Sequence, residues 1–270
     1  AIVGSGPAGC YVAERLGKKA KGAVEIDVFD RLPTPFGLVR SGVAPDHQSI
    51  KMSSRVMAKA LEKPEVRFFG HVEIGRDLDL EDLRQAYDAV VIAIGAPEDR
   101  PLGVPGDDLP GVLGSGAFTR WYNDHPDAAD RASELGALLG EARRAVVIGN
   151  GNVAVDVTRM LAKQSDEMQE SDLSPDVTGH LHHAPIEEIL MVGRRDAQQV
   201  KFTPAEIREL GELSGAAVKV DPADVPLAAE DTPHSQAYQV LKDLADAPRE
   251  APVSIRLAFC LQPEEVLAGD

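Results

Sequence analysis

The sequence predicts an α/β fold of two domains, each a parallel sheet layered between helices. Two observations carry that expectation. Apolar strand-like runs alternate with helical periodicity along the chain, the order that produces parallel sheets. Twice, moreover, such a strand runs through a glycine-rich turn straight into a helix, at "AIVGSGPAG" (residues 1–9) and at "AVVIGNGNVA" (residues 145–154). The Pro/Gly-rich connector "PEDRPLGVPGDDLPGV" lies between the two turns, and its start divides the chain into predicted domains 1–97 and 98–270.

The elements run in this order. "AIVGSG" leads into "PAGCYVAERLGKKA", where Val12, Ala13 and Leu16 share one helical face. "AVEIDVFD" (residues 23–30) is the next strand. "DRLPTPFGLVRSGVAPDH" (30–47) holds too much Pro and Gly for a helix or a central strand and is read as a loop. "QSIKMSSRVMAKALEK" is a helix, "VRFFGHVEIG" a strand pair or bent strand, and "DLEDLRQAY" a short helix. "DAVVIAIGA" (88–96), apolar throughout, is expected to be a strand buried on both faces. Beyond the connector come a helical stretch around "GAFTRWYNDHP", the second strand–turn–helix at 145–162, and a strand in "IEEILMVGRR".

Composition narrows the function classes. Of the 270 residues, 43% are apolar, enough for ordinary cores. A net charge of −16 argues against a nucleic-acid protein, which needs a basic face for phosphates. Only two cysteines, Cys10 and Cys260, are present, so there is no disulfide framework, zinc-ligand spacing or C-x-x-C pair, and no metal site is expected. No apolar run approaches the ~20 residues of a membrane span, and no signal peptide is expected before the first strand. A reducing cytoplasm is the expected location. Because Ala1 already lies inside a strand, upstream residues are expected to be missing.

The first turn, Gly4-Ser5-Gly6-Pro7-Ala8-Gly9, is a full G-x-G-x-x-G between a strand and a helix. In such a turn the first glycine bends the chain, the second admits a pyrophosphate, and the third lets helix and strand pack closely. The pyrophosphate then meets the free N–H groups of the helix N-terminus. Asp30 closes the second strand, where a carboxylate can accept from a ribose hydroxyl.

The second turn, Gly149-Asn150-Gly151-Asn152-Val153-Ala154, replaces the third glycine by alanine, a variant of the same pattern. No acid ends its following strand; Arg194 and Arg195 stand there instead. Guanidinium groups grip a 2′-phosphate through charge-assisted bonds, so this site should prefer NADP(H) to NAD(H). Two Rossmann-like dinucleotide-binding domains with unlike strand ends suit a protein that passes electrons between two nucleotides, a pyridine nucleotide and a flavin.

Taken together, "GSGPAG", "PTPFGLVRSGVAPDH", "GNGNVAVDV" and "GRRDAQQVKFTPAEIREL" resemble adrenodoxin-reductase-type ferredoxin–NADP reductases, over the whole chain. That resemblance implies an enzyme moving electrons between NADPH and a ferredoxin/adrenodoxin-type iron–sulfur protein by way of FAD. It implies that FAD is held at Gly4, Ser5, Gly6, Ala8 and Gly9, with Asp30 on the ribose where the family usually has glutamate. Leu38 and Ile74 match positions lining the flavin nucleotide. For NADP(H) the matching positions are Asn150, Gly151, Asn152 and Val153 at the pyrophosphate, Arg194 and Arg195 at the 2′-phosphate, and Glu206 nearer the nicotinamide. His47 resembles the family's histidine beside the isoalloxazine, and His47 and Glu206 are the implied catalytic positions. A loop histidine bonded to backbone is the alternative reading of His47.

The resemblance breaks at the other end. The family's chain returns to the FAD domain in a Gly-rich segment carrying a Trp, whereas this sequence stops at "PEEVLAGD" and its one tryptophan is Trp121. The first domain is therefore expected to be incomplete and to bind FAD weakly. Lys201 and Arg208 are candidates for docking an acidic ferredoxin, although a solvated helix face is the plainer reading of both. Three other readings stay open. A thioredoxin-reductase-like enzyme lacks its cysteine pair here, a glutamate-synthase-type electron-transfer subunit lacks its cysteine-rich start, and a non-catalytic NADP-binding module remains.

Overall fold

The structure, a computed structural model, describes residues 1–21, 23–225 and 235–268. Its backbone divides into two compact units, Ala1–Glu98 and Asp99–Asp270, each built on a parallel four-stranded sheet.

In the first unit β1 (Ile2–Val3), β2 (Ile26–Asp30), β3 (Val66–Gly70) and β4 (Val91–Ile92) lie in the order β3-β2-β1-β4. The register pairs Ile2 with Val28 on one side and Val91 on the other. Five helices accompany this sheet among the described residues: α1 (Pro7–Ala20), the one-turn α2 (Leu38–Ser41) and α3 (Gln48–Lys51), α4 (Ser54–Leu61) and α5 (Leu80–Ala86). Alternation along the strands sends Ile2 and Val28 to one face, with Ala13 of α1 and Leu61 of α4, and Val3 and Phe29 to the other, with Leu83 of α5. Both faces are thus covered by helices, so Ile26, Val28 and Phe29 of β2 are all buried.

Three local expectations need correction. The stretch 88–96 is not a strand buried along its length: only Val91–Ile92 pair, and Ile92 and Ile94 are 54% and 64% exposed. β4 is the sheet's edge, bonded only to β1 among the described residues, and an apolar run does not distinguish an edge from a centre. The predicted helix over 48–63 is two helices, α3 and α4, joined through Met52 and Ser53. In "VRFFGHVEIG" the strand ends at Gly70, His71 turns with φ 62°, and Ile74 makes a single bridge to Leu78.

The second unit opens with α6 (Ser115–Tyr122) and α7 (Ala132–Glu141), then β5 (Arg144–Ile148) and α8 (Asn152–Ala162). It continues through α9 (Pro175–His183), β6 (Glu188–Val192), α10 (Pro204–Glu212), β7 (Ala216–Val220), α11 (Ser235–Asp246) and β8 (Val253–Ala258). The strand order is β5-β6-β8-β7. Ile189, Met191, Ile255 and Leu257 from its central strands pack with Val155 of α8, Ile207 and Leu210 of α10 and Leu241 of α11 into one buried core. Asp99, the first residue of this unit, accepts the N–H groups of Gly116 and Ala117 and so caps α6. Among the described residues no helix is long and apolar enough to cross a membrane.

Candidate functional site

The two glycine turns are built to one plan. In the first, the Gly4 N–H donates to Phe29 O at 2.7 Å; in the second, the Gly149 N–H donates to Val192 O at 2.8 Å. Each bond ties the end of a unit's first strand to the last or next-to-last residue of the strand beside it. Gly4 needs its φ of 103°, and a Cβ there would lie 2.3 Å from Ala93 O. A Cβ on Gly9 would lie 1.9 Å from Gly4 O, so the helix packs on the turn only as glycine. A Cβ on Gly6 would lie 3.9 Å from Gly37 Cα, an ordinary van der Waals contact. No side chain caps α1 or α8, whose N-caps are Gly6 and Gly151, whereas Ser174 and Thr203 cap α9 and α10. The first N–H groups of these two helices therefore meet no capping side chain.

Beyond this shared bond the two units differ in side-chain chemistry. After Phe29 comes Asp30, whose Oδ2 accepts the N–H of Ser5 at 2.8 Å and its hydroxyl at 2.5 Å, while Oδ1 accepts the Leu32 N–H. After Val192 comes Gly193, and a Cβ there would lie 1.5 Å from Asn150 Nδ2. The amide of Asn150 therefore fills the place that the acid side chain takes in the first unit. That Nδ2 is buried without a hydrogen-bond partner among the described residues. Arg194 and Arg195, one and two positions on, are both exposed and form no salt bridge among the described residues.

The second turn is further braced from its far side. Asn150 O accepts the N–H groups of Lys201 and Phe202, and Asn152 Oδ1 accepts that of Thr203 at 2.8 Å. Thr203 is the N-cap of α10, which carries Glu206 in its first turn. Glu206 is only 8% exposed, and its carboxylate meets Arg159 Nη1 of α8 at 3.2 Å. Arg159 also binds Asp156 Oδ1 at 2.8 Å and lies 3.6 Å from Glu209 Oε2.

Around the first turn, Phe36 with φ 90° donates its N–H to Ser5 O, and a Cβ on Gly37 would reach within 3.0 Å of Gly6 Cα. The "PTPFG" loop thus rests on the glycine turn. Leu38 comes directly after it, 66% exposed, and His47 is the half-buried N-cap of α3. Ile74 lies against Val3, Phe29 and Leu83, on the sheet face away from α1. The Ser5–Asp30 bonds and the Arg159 cluster escaped the sequence reading. A charged residue three positions after Asp156 in the otherwise apolar "NVAVDVTRMLA" was the available signal for the second.

A family model described as pyridine nucleotide-disulphide oxidoreductase matches residues 1–212. The chain belongs to that family. Among its relatives, the NADPH-ferredoxin reductase FprA of Mycobacterium leprae is 42% identical over 98% of this chain and 60% of its own length. The mitochondrial NADPH:adrenodoxin oxidoreductase of Arabidopsis thaliana is 36% identical over 100% of this chain and 57% of its own. The solved structure of Mycobacterium tuberculosis FprA in complex with NADPH superimposes with a TM-score of 0.92 at 40% identity, over 99% of this chain and 60% of that one. The chain thus spans about 60% of the length of the relatives it matches.

Proposed function

We propose that this protein is a flavoprotein oxidoreductase that carries electrons between NADPH and a ferredoxin/adrenodoxin-type iron–sulfur protein, with FAD on the first turn and NADP(H) on the second. One observation carries the assignment of the two sites: a single backbone plan ends in a carboxylate in the first unit and in two exposed arginines in the second. A carboxylate suits ribose hydroxyls and repels a phosphate; paired guanidinium groups do the reverse.

The residues present fit both groups. The glycine backbone at Gly6 and the uncapped start of α1 suit a pyrophosphate. Asp30 keeps acceptor capacity beyond its bonds to Ser5 and Leu32, since a carboxylate offers about four lone-pair sites. Leu38, and with it Ile74 and His47, are assigned to the flavin by resemblance. In the second unit, Asn150 to Val153 would hold the NADP(H) pyrophosphate, Arg194 and Arg195 the 2′-phosphate, and Glu206 would face the nicotinamide end. A bound flavin accepts a hydride and releases electrons singly, which a nicotinamide does not readily do. This chain's share is to anchor each nucleotide by its phosphates, choose the coenzyme by charge, and fix where the reactive ends lie. The protein is assigned to the cytoplasm on its two unpaired cysteines.

The test is calorimetric titration of the purified chain with NADP⁺ and NAD⁺, together with an absorbance scan for bound flavin and an NADPH–ferricyanide assay. Tight NADP⁺ binding with weak NAD⁺ binding is expected. Equal affinity for the two coenzymes would overturn the assignment of the second site.

A further inference from the structure

Arg159 is 2% exposed, one of the largest side chains removed from solvent among the described residues. A guanidinium does not shed its charge, so it is buried only where anions surround it. Here Asp156, one turn earlier on α8, and Glu206 and Glu209, both on α10, supply them. Cohesion alone does not account for the arrangement, because well-packed apolar side chains join two helices as firmly as a buried ion pair.

Its position shows what the charge does. α8 starts at the second glycine turn, and α10 starts from Thr203, which Asn152 holds by its side-chain oxygen. The two helices are therefore tied twice, once at the turn and once by Arg159 to Glu206. The first tie fixes where α10 begins; the second fixes how its first turn is rotated and where the Glu206 carboxylate points. We propose that Arg159 is a positioning residue of the NADP(H) site, holding Glu206 in register with the pyrophosphate-binding turn. This rests on the reading in which the second turn binds NADP(H) and Glu206 faces its nicotinamide end. Arg159 itself need not touch the coenzyme.

The test compares NADP⁺ with adenosine 2′,5′-bisphosphate, which carries the 2′-phosphate and adenosine but no nicotinamide. Titrations are run on the whole chain and on Arg159→Met, Arg159→Lys, Glu206→Gln and the double variant Arg159→Met/Glu206→Gln. If Arg159 acts through Glu206, Arg159→Met weakens NADP⁺ by about tenfold or more, the worth of a hydrogen bond to a charged group. The bisphosphate should change by less than about twofold, and Arg159→Lys should recover part of the loss. The double variant should bind NADP⁺ no worse than Glu206→Gln alone, since both substitutions break one connection. Unchanged NADP⁺ affinity, equal losses for both ligands, or additive effects in the double variant would each overturn the proposal. Should Arg159→Met fail to fold by circular dichroism, Arg159→Lys combined with Glu206→Gln completes the same cycle. A parent chain that binds neither ligand refutes the NADP(H) reading itself, before any variant is compared.

Discussion

Asp30 accepts two hydrogen bonds from Ser5, one from its N–H at 2.8 Å and one from its hydroxyl at 2.5 Å. The acid at the end of β2 therefore closes the first glycine turn. The second unit reaches the same backbone geometry without any acid, by placing Asn150 over Gly193. An anion beside a 2′-phosphate would be repulsive, and this exchange removes it while preserving the turn.

Replacing Asp30 by alanine accordingly has two effects. Flavin retention falls, and the first unit loses about 1–3 kcal/mol of stability because Ser5, which is fully buried, keeps two unmatched donors. NADP⁺ affinity, measured by calorimetry, stays at the parent value. Weakened NADP⁺ binding with normal flavin content would mean that the two sites are exchanged.

At the other strand end, Arg194→Ala with Arg195→Ala should weaken NADPH by at least about a hundredfold, since charge-assisted contacts to the 2′-phosphate are lost. NADH should change little. A fluorescence titration with both coenzymes decides this, and parallel losses would refute a 2′-phosphate role.

The glycine turns were readable because their constraints are local. Gly4 is required by its own φ of 103° and Gly9 by the carbonyl of Gly4, and the strand and helix patterns flank them directly. Alternation between apolar strands and helices likewise sufficed for two parallel sheets. Relations between distant positions escaped. Ser5 and Asp30 are 25 residues apart, and Arg159 and Glu206 are 47 apart, so no periodicity connects them. "DAVVIAIGA" was misread for a related reason: residue type records that a segment is apolar, but edge position depends on which strands pair beside it.

The two thiols should behave oppositely. Cys10 is 1% exposed and donates to Ser5 O; burial, and after it the nearby charge of Asp30, raises its pKa to about 11. Cys260 is exposed at the end of β8. Because thiolate is the reactive form, iodoacetamide at pH 8 should modify Cys260 alone in the native protein and both cysteines after denaturation. Mass spectrometry after a timed reaction is the check. Native labelling of Cys10 at a comparable rate would contradict its placement under the turn.

Asp27 carries the last prediction, since it is 3% exposed yet ionised. Burial pushes its pKa up, but hydrogen bonds from Arg67, at 2.6 and 2.8 Å, and from Tyr87 Oη, at 2.6 Å, outweigh it and leave the value below the usual 3.8. Tyr87 is shifted the other way, to about 12, by burial and then by its bond to Asp27. The signs fix a pH window. A depressed carboxylate stabilises the fold above its unfolded value and loses that contribution as pH falls through the folded one. A raised phenol contributes fully below its unfolded value of 10.0 and loses the contribution as pH rises through about 12. Tyr87→Phe should therefore cost about 1.5–3 kcal/mol at pH 7, the worth of a hydrogen bond to a charged group. The cost should hold steady up to pH 10 and shrink above it, because the unfolded parent chain then releases the Tyr87 proton that the fold retains up to about pH 12. Urea unfolding of both proteins at pH 7, 9 and 11 measures the difference directly. A gap that is constant to pH 11, or that widens, would show that the hydroxyl of Tyr87 does not donate to Asp27.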